Sequence, residues 1–188
     1  MNRFFTAGLL LAASAVFSQA QVAEFGVGGG VSSLGSKDIG SGYSLDDGWR
    51  MNFRMTINNW RFFGQEFGYA YNRTKLLLSG QDQGGMAIHQ GFYNLLVYAT
   101  PEGSRVRPFA TGGGHFSNFV PPGASATQGQ GDNKFGVNYG GGIKVRATEK
   151  FLFRVDFRQY MQGKPFDLPG GDGKLKLNEI SAGLSFVL

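Results

Sequence analysis

His115 and Ser117 stand two positions apart in the run His115-Phe116-Ser117-Asn118. A histidine base beside a serine hydroxyl is the pairing that acyl transfer uses, with an acid behind the histidine to orient it. Positions two apart on a strand share a face. Taking the parity of Phe109 and Phe119 as apolar turns His115 and Ser117 outward; the competing assignment turns Phe116 outward instead. No glutamate follows in the next loop, and Asp132 is the nearest acid. Other chemistry finds less material. His89 is the only other histidine, and there is no cysteine, so a metal site would need carboxylates at a spacing the chain does not offer. The run Gly26-Val27-Gly28-Gly29-Gly30-Val31 has Val31 where the dinucleotide fingerprint needs glycine, and Gly173-Lys174 is followed by Leu175, not the hydroxyl of a phosphate loop.

A second group of reactive side chains is spread singly along the chain. Glu24, Arg50, Arg54, Glu66, Lys144, Arg146, Arg154, Asp156, Arg158 and Glu179 alternate with apolar residues. The elements that position them are strands. Between Phe135 and Tyr160, Phe135, Val137, Tyr139, Ile143 and Val145 alternate with Gly136, Asn138, Gly140, Gly142, Lys144 and Arg146. After Ala147-Thr148-Glu149-Lys150, Phe153, Val155 and Phe157 alternate with Arg154, Asp156 and Arg158. This is a hairpin with one apolar face and one charged or glycine face.

The same period recurs at about Ala23–Ser33, Asp47–Asn58, Arg61–Arg73, Met86–Ala99, Arg107–Phe119 and Lys174–Leu188, which with the hairpin makes eight strands. On the fourth, Gln90 and Asn94 share a parity with Phe92 and Tyr98, and on the fifth Gly112, Gly113 and Gly114 blur the faces. Connections alternate between short ones (58–60, 100–106, 147–150) and long polar ones (34–46, 74–85, 120–133, 162–173). That asymmetry matches periplasmic turns and extracellular loops of an outer-membrane barrel. A soluble sandwich also alternates, but glycine decides between the two. Gly26, Gly28, Gly30, Gly64, Gly68, Gly136, Gly140, Gly142 and Gly183 fall on the charged face. A water-facing strand has no use for them, whereas a narrow lumen needs small residues among its charges.

Arg or Lys facing lipid costs roughly 2–4 kcal/mol at the bilayer midplane, so Arg154, Asp156 and Arg158 must turn inward together. Six cations and four anions in the set named above are enough to pair most members, as burial requires. Trp49, Tyr71 and Phe135 near loop ends, and Trp60, Phe63, Phe109, Phe153 and Phe186 near turn ends, predict two aromatic girdles.

The ends and composition fit export. Arg3, the apolar stretch Phe4 to Phe17 and Ser18-Gln19-Ala20 predict a signal peptide over 1–20, with the barrel domain over 21–188. Charged residues make up 16% of the chain against about 25% in ordinary soluble domains, and the net charge of +5 is dispersed through strands, which excludes a nucleic-acid binder.

The hairpin FGVNYGGGIKVRATEKFLFRVDFRQY, the preceding RPFATGGG and the terminal LNEISAGLSFVL resemble the small OmpA-like outer-membrane β-barrel superfamily. The resemblance implies an all-β, eight-stranded antiparallel up-and-down transmembrane barrel, inserted by the outer-membrane assembly machinery and bathed in outer-membrane lipids and lipopolysaccharide. No peptidoglycan-binding domain is expected after the eighth strand. Members commonly end in an aromatic residue; here Leu188 is terminal and Phe186 lies two positions earlier. The His115-to-Asn118 run is itself similar to the active-site motif of lipid A deacylases, also eight-stranded barrels, although there the motif lies near the C-terminus. The leading expectation is a non-enzymatic, cofactor-free, monomeric outer-membrane protein whose filled lumen is structural and whose loops serve recognition or envelope structure. A deacylase using His115 and Ser117, or a small gated ion path, is the alternative.

Overall fold

The computed structural model describes residues 22–34, 37–171 and 173–188. The expected signal peptide over 1–20 lies outside them. Ten strands follow one another: β1 (Val22–Leu34), β2 (Asp38–Gly40), β3 (Tyr43–Leu45), β4 (Gly48–Trp60), β5 (Phe63–Leu78), β6 (Gln81–Tyr98), β7 (Val106–Val120), β8 (Asp132–Arg146), β9 (Phe151–Gly163) and β10 (Lys174–Val187). Eight of them close an antiparallel barrel in which each pairs with its sequence neighbour and β1 pairs with β10. Closure leaves no barrel edge unpaired. The short strands β2 and β3 form a hairpin that extends the sheet above β5.

The register sets the shape. Following cross-strand partners from Glu24 leads through Thr56, Glu66, Asn94, Gly113, Asn138, Tyr160 and Leu177 back to β1 at Leu34, ten residues from the start. Eight strands with that offset tilt by about 40° and enclose a wall of roughly 8 Å radius. Side chains fill such an interior.

The segment 74–85, expected as a long loop, is strand. β5 and β6 run on past the barrel wall to a tight turn at Ser79-Gly80, where both residues have positive φ. Leu76, Leu77 and Leu78 explain the difference, because an apolar stretch continues the strand where a polar loop was expected. Leu76 buries its side chain with Leu34, Ile39, Leu45, Met86, Ile88, Phe119, Tyr160, Leu175 and Leu177 in an apolar cluster. Because it draws on the loop-side ends of the strands, this cluster caps the extracellular end of the lumen.

Outward faces carry the opposite chemistry. Phe25, Val27, Phe53, Phe67, Leu95, Val137, Val155, Phe157 and Ile180 are all exposed, a continuous apolar belt. Such a belt is stable only against lipid.

Candidate functional site

The lumen is stratified. At its centre, Glu66 of β5 is fully buried and accepts from the guanidinium groups of Arg154 and Arg158 on β9, with the Thr56 hydroxyl donating at 3.3 Å. Asp156 lies between those arginines along β9. It accepts from Arg54 Nη1 at 2.7 Å and 3.1 Å, from Arg158 Nε at 3.0 Å and from the Ser181 hydroxyl at 3.1 Å, with Arg154 Nε at 3.4 Å. Residues 154, 156 and 158 share a face because the strand period is two, so β9 alone delivers three of the five charges. Low dielectric and mutual hydrogen bonding make this group cohesive, and each member is costly to leave unpaired.

Toward the periplasmic end, Lys144 donates to Glu24 at 2.5 Å and to the Tyr98 hydroxyl at 2.9 Å, and Asn58 donates to Glu24 at 2.8 Å. Leu96, Tyr98 and Phe109 pack together beside them. Arg107 lies 3.6 Å over the Tyr98 ring and pairs with Glu102 of the β6–β7 turn. Arg146 is not in the lumen proper. Its partly exposed side chain reaches Glu102 at 3.5 Å and the Glu149 carbonyl at 3.3 Å, because β8 ends at that residue. On the extracellular side of the centre, Arg50 faces Glu179 and donates to Gln90 at 3.2 Å and to the Tyr160 hydroxyl at 3.2 Å. The apolar cap begins just beyond.

Lumen glycines make room for this filling. A Cβ at Gly28 would stand 2.9 Å from Arg54 Nη2, and one at Gly68 would stand 2.2 Å from the Phe92 ring.

His115 and Ser117 face inward, contrary to the outward assignment. They are 5% and 0% exposed, while Phe116 between them is 46% exposed. His115 Nε2 contacts Gln162 Oε1 at 2.9 Å, and Ser117 accepts from Gln90 at 3.3 Å. Among the described residues, neither hydrogen-bonds the other or an acid. Phe109 departs from the expected girdle for the same reason. It is 6% exposed and lies beneath the Arg154 guanidinium at 4.5 Å. Arg107 carried the signal that sets this face, since it shares the parity of Phe109, His115 and Phe119. A cation on the supposed lipid face should have turned the strand over.

The other girdle residues face outward. Trp49 stacks near Tyr71 at 5.6 Å and Phe135 near Phe116 at 6.5 Å on the extracellular side. Trp60 meets Phe63 at 6.0 Å on the periplasmic side, where Phe186 meets Phe151 at 5.6 Å and Phe153 is exposed.

At the rim, Lys37 donates to Asp46 at 2.9 Å. That hydrogen bond, with the Asp47 N–H, holds the Asp46 carboxyl below the usual carboxylate range. Among the described residues, no group of three or more His, Cys, Asp or Glu side chains converges on a point where a metal ion fits.

Residues 4–187 match the outer membrane protein beta-barrel domain family. No curated protein matches the sequence. Three solved structures share the fold. Ail, the attachment invasion locus protein of Yersinia pestis, is 15% identical with a TM-score of 0.57, covering 90% of this chain and all of that one. It has also been solved in complex with the heparin analogue sucrose octasulfate. Neisserial surface protein A is 11% identical with a TM-score of 0.59, covering 89% of this chain and 99% of that one. The N-terminal barrel domain of Pseudomonas aeruginosa OprF is 12% identical with a TM-score of 0.53, covering 90% of this chain and 98% of that one.

Proposed function

The chain belongs to the outer-membrane β-barrel family, and from that premise we propose a non-enzymatic barrel whose lumen is a structural plug and whose extracellular face acts in envelope structure or surface recognition. The observation that carries this reading is the layered filling of the lumen. Arg107 and Tyr98 occupy one end, the Glu66–Arg154–Arg158–Asp156–Arg54 group the middle, and the apolar cluster around Leu76 and Phe119 the other end. An ion would have to strip its hydration shell, cross the charged layer and then pass an apolar one. The burial of His115 and Ser117 in separate hydrogen bonds argues against the esterase alternative, since an acyl chain in the outer leaflet meets Phe116, not the hydroxyl.

The protein is inserted by the assembly machinery and acts as a monomer, in keeping with a closed sheet that has no barrel edge to offer a second copy. A polyanionic ligand of the kind bound to Ail is less favoured for the loops. Lys37 and Lys134 are each within 3.5 Å of at least one aspartate.

Planar-bilayer recording of the refolded protein tests the plug. The expected result is conductance indistinguishable from protein-free membrane. Discrete channels that change when Arg154 or Arg158 is neutralised would replace this reading with the ion path. Lipid A that loses acyl chains on overexpression, and keeps them with Ser117→Ala, would replace it with the esterase.

A further inference from the structure

The outer wall between β1, β4, β5 and β6 is not a plain apolar belt at its extracellular end. A groove of about 630 Å³ runs along it. Val31 and Trp49 form its apolar floor, and Arg73, Lys75, Ser33 and Asp82 form its upper part. Arg73 and Lys75 are outward-facing and follow directly on Tyr71, which packs against both Trp49 and His89. The groove therefore changes from apolar to cationic where acyl chains give way to headgroups.

The cations are arranged unequally. Lys75 lies 3.4 Å from Asp82, and Asp82 also accepts from the Gly84 N–H at 2.7 Å. Asp47, on the opposite wall, accepts from Ser33 at 3.2 Å and from the Leu34 N–H at 3.1 Å. Both carboxylates are thus engaged. Arg73 has no carboxylate within 4.0 Å among the described residues, and its only side-chain hydrogen bond is a long 3.4 Å contact to the Tyr71 hydroxyl. Its guanidinium lies flat on β6 at Gly85, where a Cβ would stand 2.4 Å from Nη2 and 2.5 Å from Nε. Gly85 therefore leaves space for an arginine that is held in place and unneutralised. A planar, fork-shaped donor of this kind matches a phosphate.

We infer that this groove binds one phosphorylated glycolipid of the outer leaflet, with Arg73 as the phosphate contact, Lys75 exchanging Asp82 for the same phosphate, and Val31 and Trp49 against the acyl chains. The location selects the ligand source. An anion held at the headgroup level of an outward wall, above an apolar floor, is a lipid phosphate, not a soluble ion. Lys174 and Lys176 on β10 provide the internal comparison. They are equally outward and exposed, yet line none of this groove.

Native mass spectrometry of the refolded barrel in detergent, titrated with bis-phosphorylated lipid A, reads the site directly. One retained lipid per barrel is expected, with roughly tenfold weaker retention in Arg73→Gln/Lys75→Gln, as loss of a charge-assisted pair implies. Gly85→Val, which displaces Arg73 without removing charge, is expected to weaken retention in the same direction. Lys174→Gln/Lys176→Gln is expected to stay within about twofold of wild type, since no built contact is lost. Heat-modifiable gel mobility confirms that each variant is folded. Equal retention by wild type and Arg73→Gln/Lys75→Gln overturns the site. So does an equal loss in the β10 variant, which would mean diffuse attraction, or equal retention of phosphatidylglycerol or dephosphorylated lipid A. None of these outcomes bears on the conductance test of the plug.

Discussion

Replacing Glu66 by glutamine isolates the central charge of the lumen. The amide has nearly the shape of the carboxylate and keeps one acceptor, so packing and the Thr56 contact are preserved while the charge is removed. Two guanidinium groups then share what remains. Arg158 keeps Asp156 at 3.0 Å and Arg154 keeps it at 3.4 Å, but Arg54 already occupies that carboxylate at 2.7 Å. Three cations would compete for one anion in a space closed to water. Removing one partner of a buried pair typically costs about 3–5 kcal/mol, and the residual Asp156 contacts place Glu66→Gln near the lower end. Urea unfolding in lipid vesicles, followed by tryptophan fluorescence, measures the loss. A second substitution tests the cause. Adding Arg154→Met removes the stranded cation, and the double variant is expected to recover about 1–3 kcal/mol of the deficit. A loss under about 1 kcal/mol, or a double variant less stable than the single one, would refute the view that unpaired charge sets the cost.

Gly68→Val forces a side chain into the Phe92 ring and within 2.9 Å of the Phe53 carbonyl, so a destabilisation of about 1–3 kcal/mol is expected in the same unfolding assay. Trp49 and Trp60 are the only tryptophans and both are exposed on the outward wall, so brominated lipids should quench most of the fluorescence and acrylamide little. At the rim, the Asp46 carboxyl is held below its ordinary range by the Lys37 hydrogen bond. Its contribution to hairpin order is therefore present above the unfolded carboxylate pKa and lost as pH falls through the depressed folded value. Amide exchange in β2–β3 should accelerate across that acidic window in wild type, and Asp46→Asn should flatten the dependence.

Much of the architecture was legible in the chain because lipid leaves a strand few choices. Arg154, Asp156 and Arg158 cannot face hydrocarbon, so their parity alone orients β9, and register carries that orientation to the neighbouring strands. The fifth strand was harder to read. Three consecutive glycines at 112–114 have no side chains to mark a face, and Phe109 and Phe119 imitate lipid-facing residues while packing inside. Arg107 was the decisive residue there, since a charge constrains a face more strongly than an aromatic ring does. The apolar cap was illegible for a different reason. Its members come from β1, β3, β5, β6, β7, β9 and β10 and from Ile39 in the added hairpin, so no local period announces it. Arg73 was likewise invisible as a distinct group, because its importance rests on Gly85 across the sheet.

The apolar cap divides the molecule by solvent. Below it, the outward wall exchanges one hydrocarbon contact for another when the strands separate within a bilayer, and little heat capacity changes. Within it, Leu34, Ile39, Leu76, Phe119 and their neighbours are shielded from water, and exposing them raises the heat capacity as it does in a soluble domain. Cooling therefore weakens the cap while leaving the charged centre nearly indifferent. The extracellular end should loosen in the cold as a separate unit, ahead of the strands that cross the membrane.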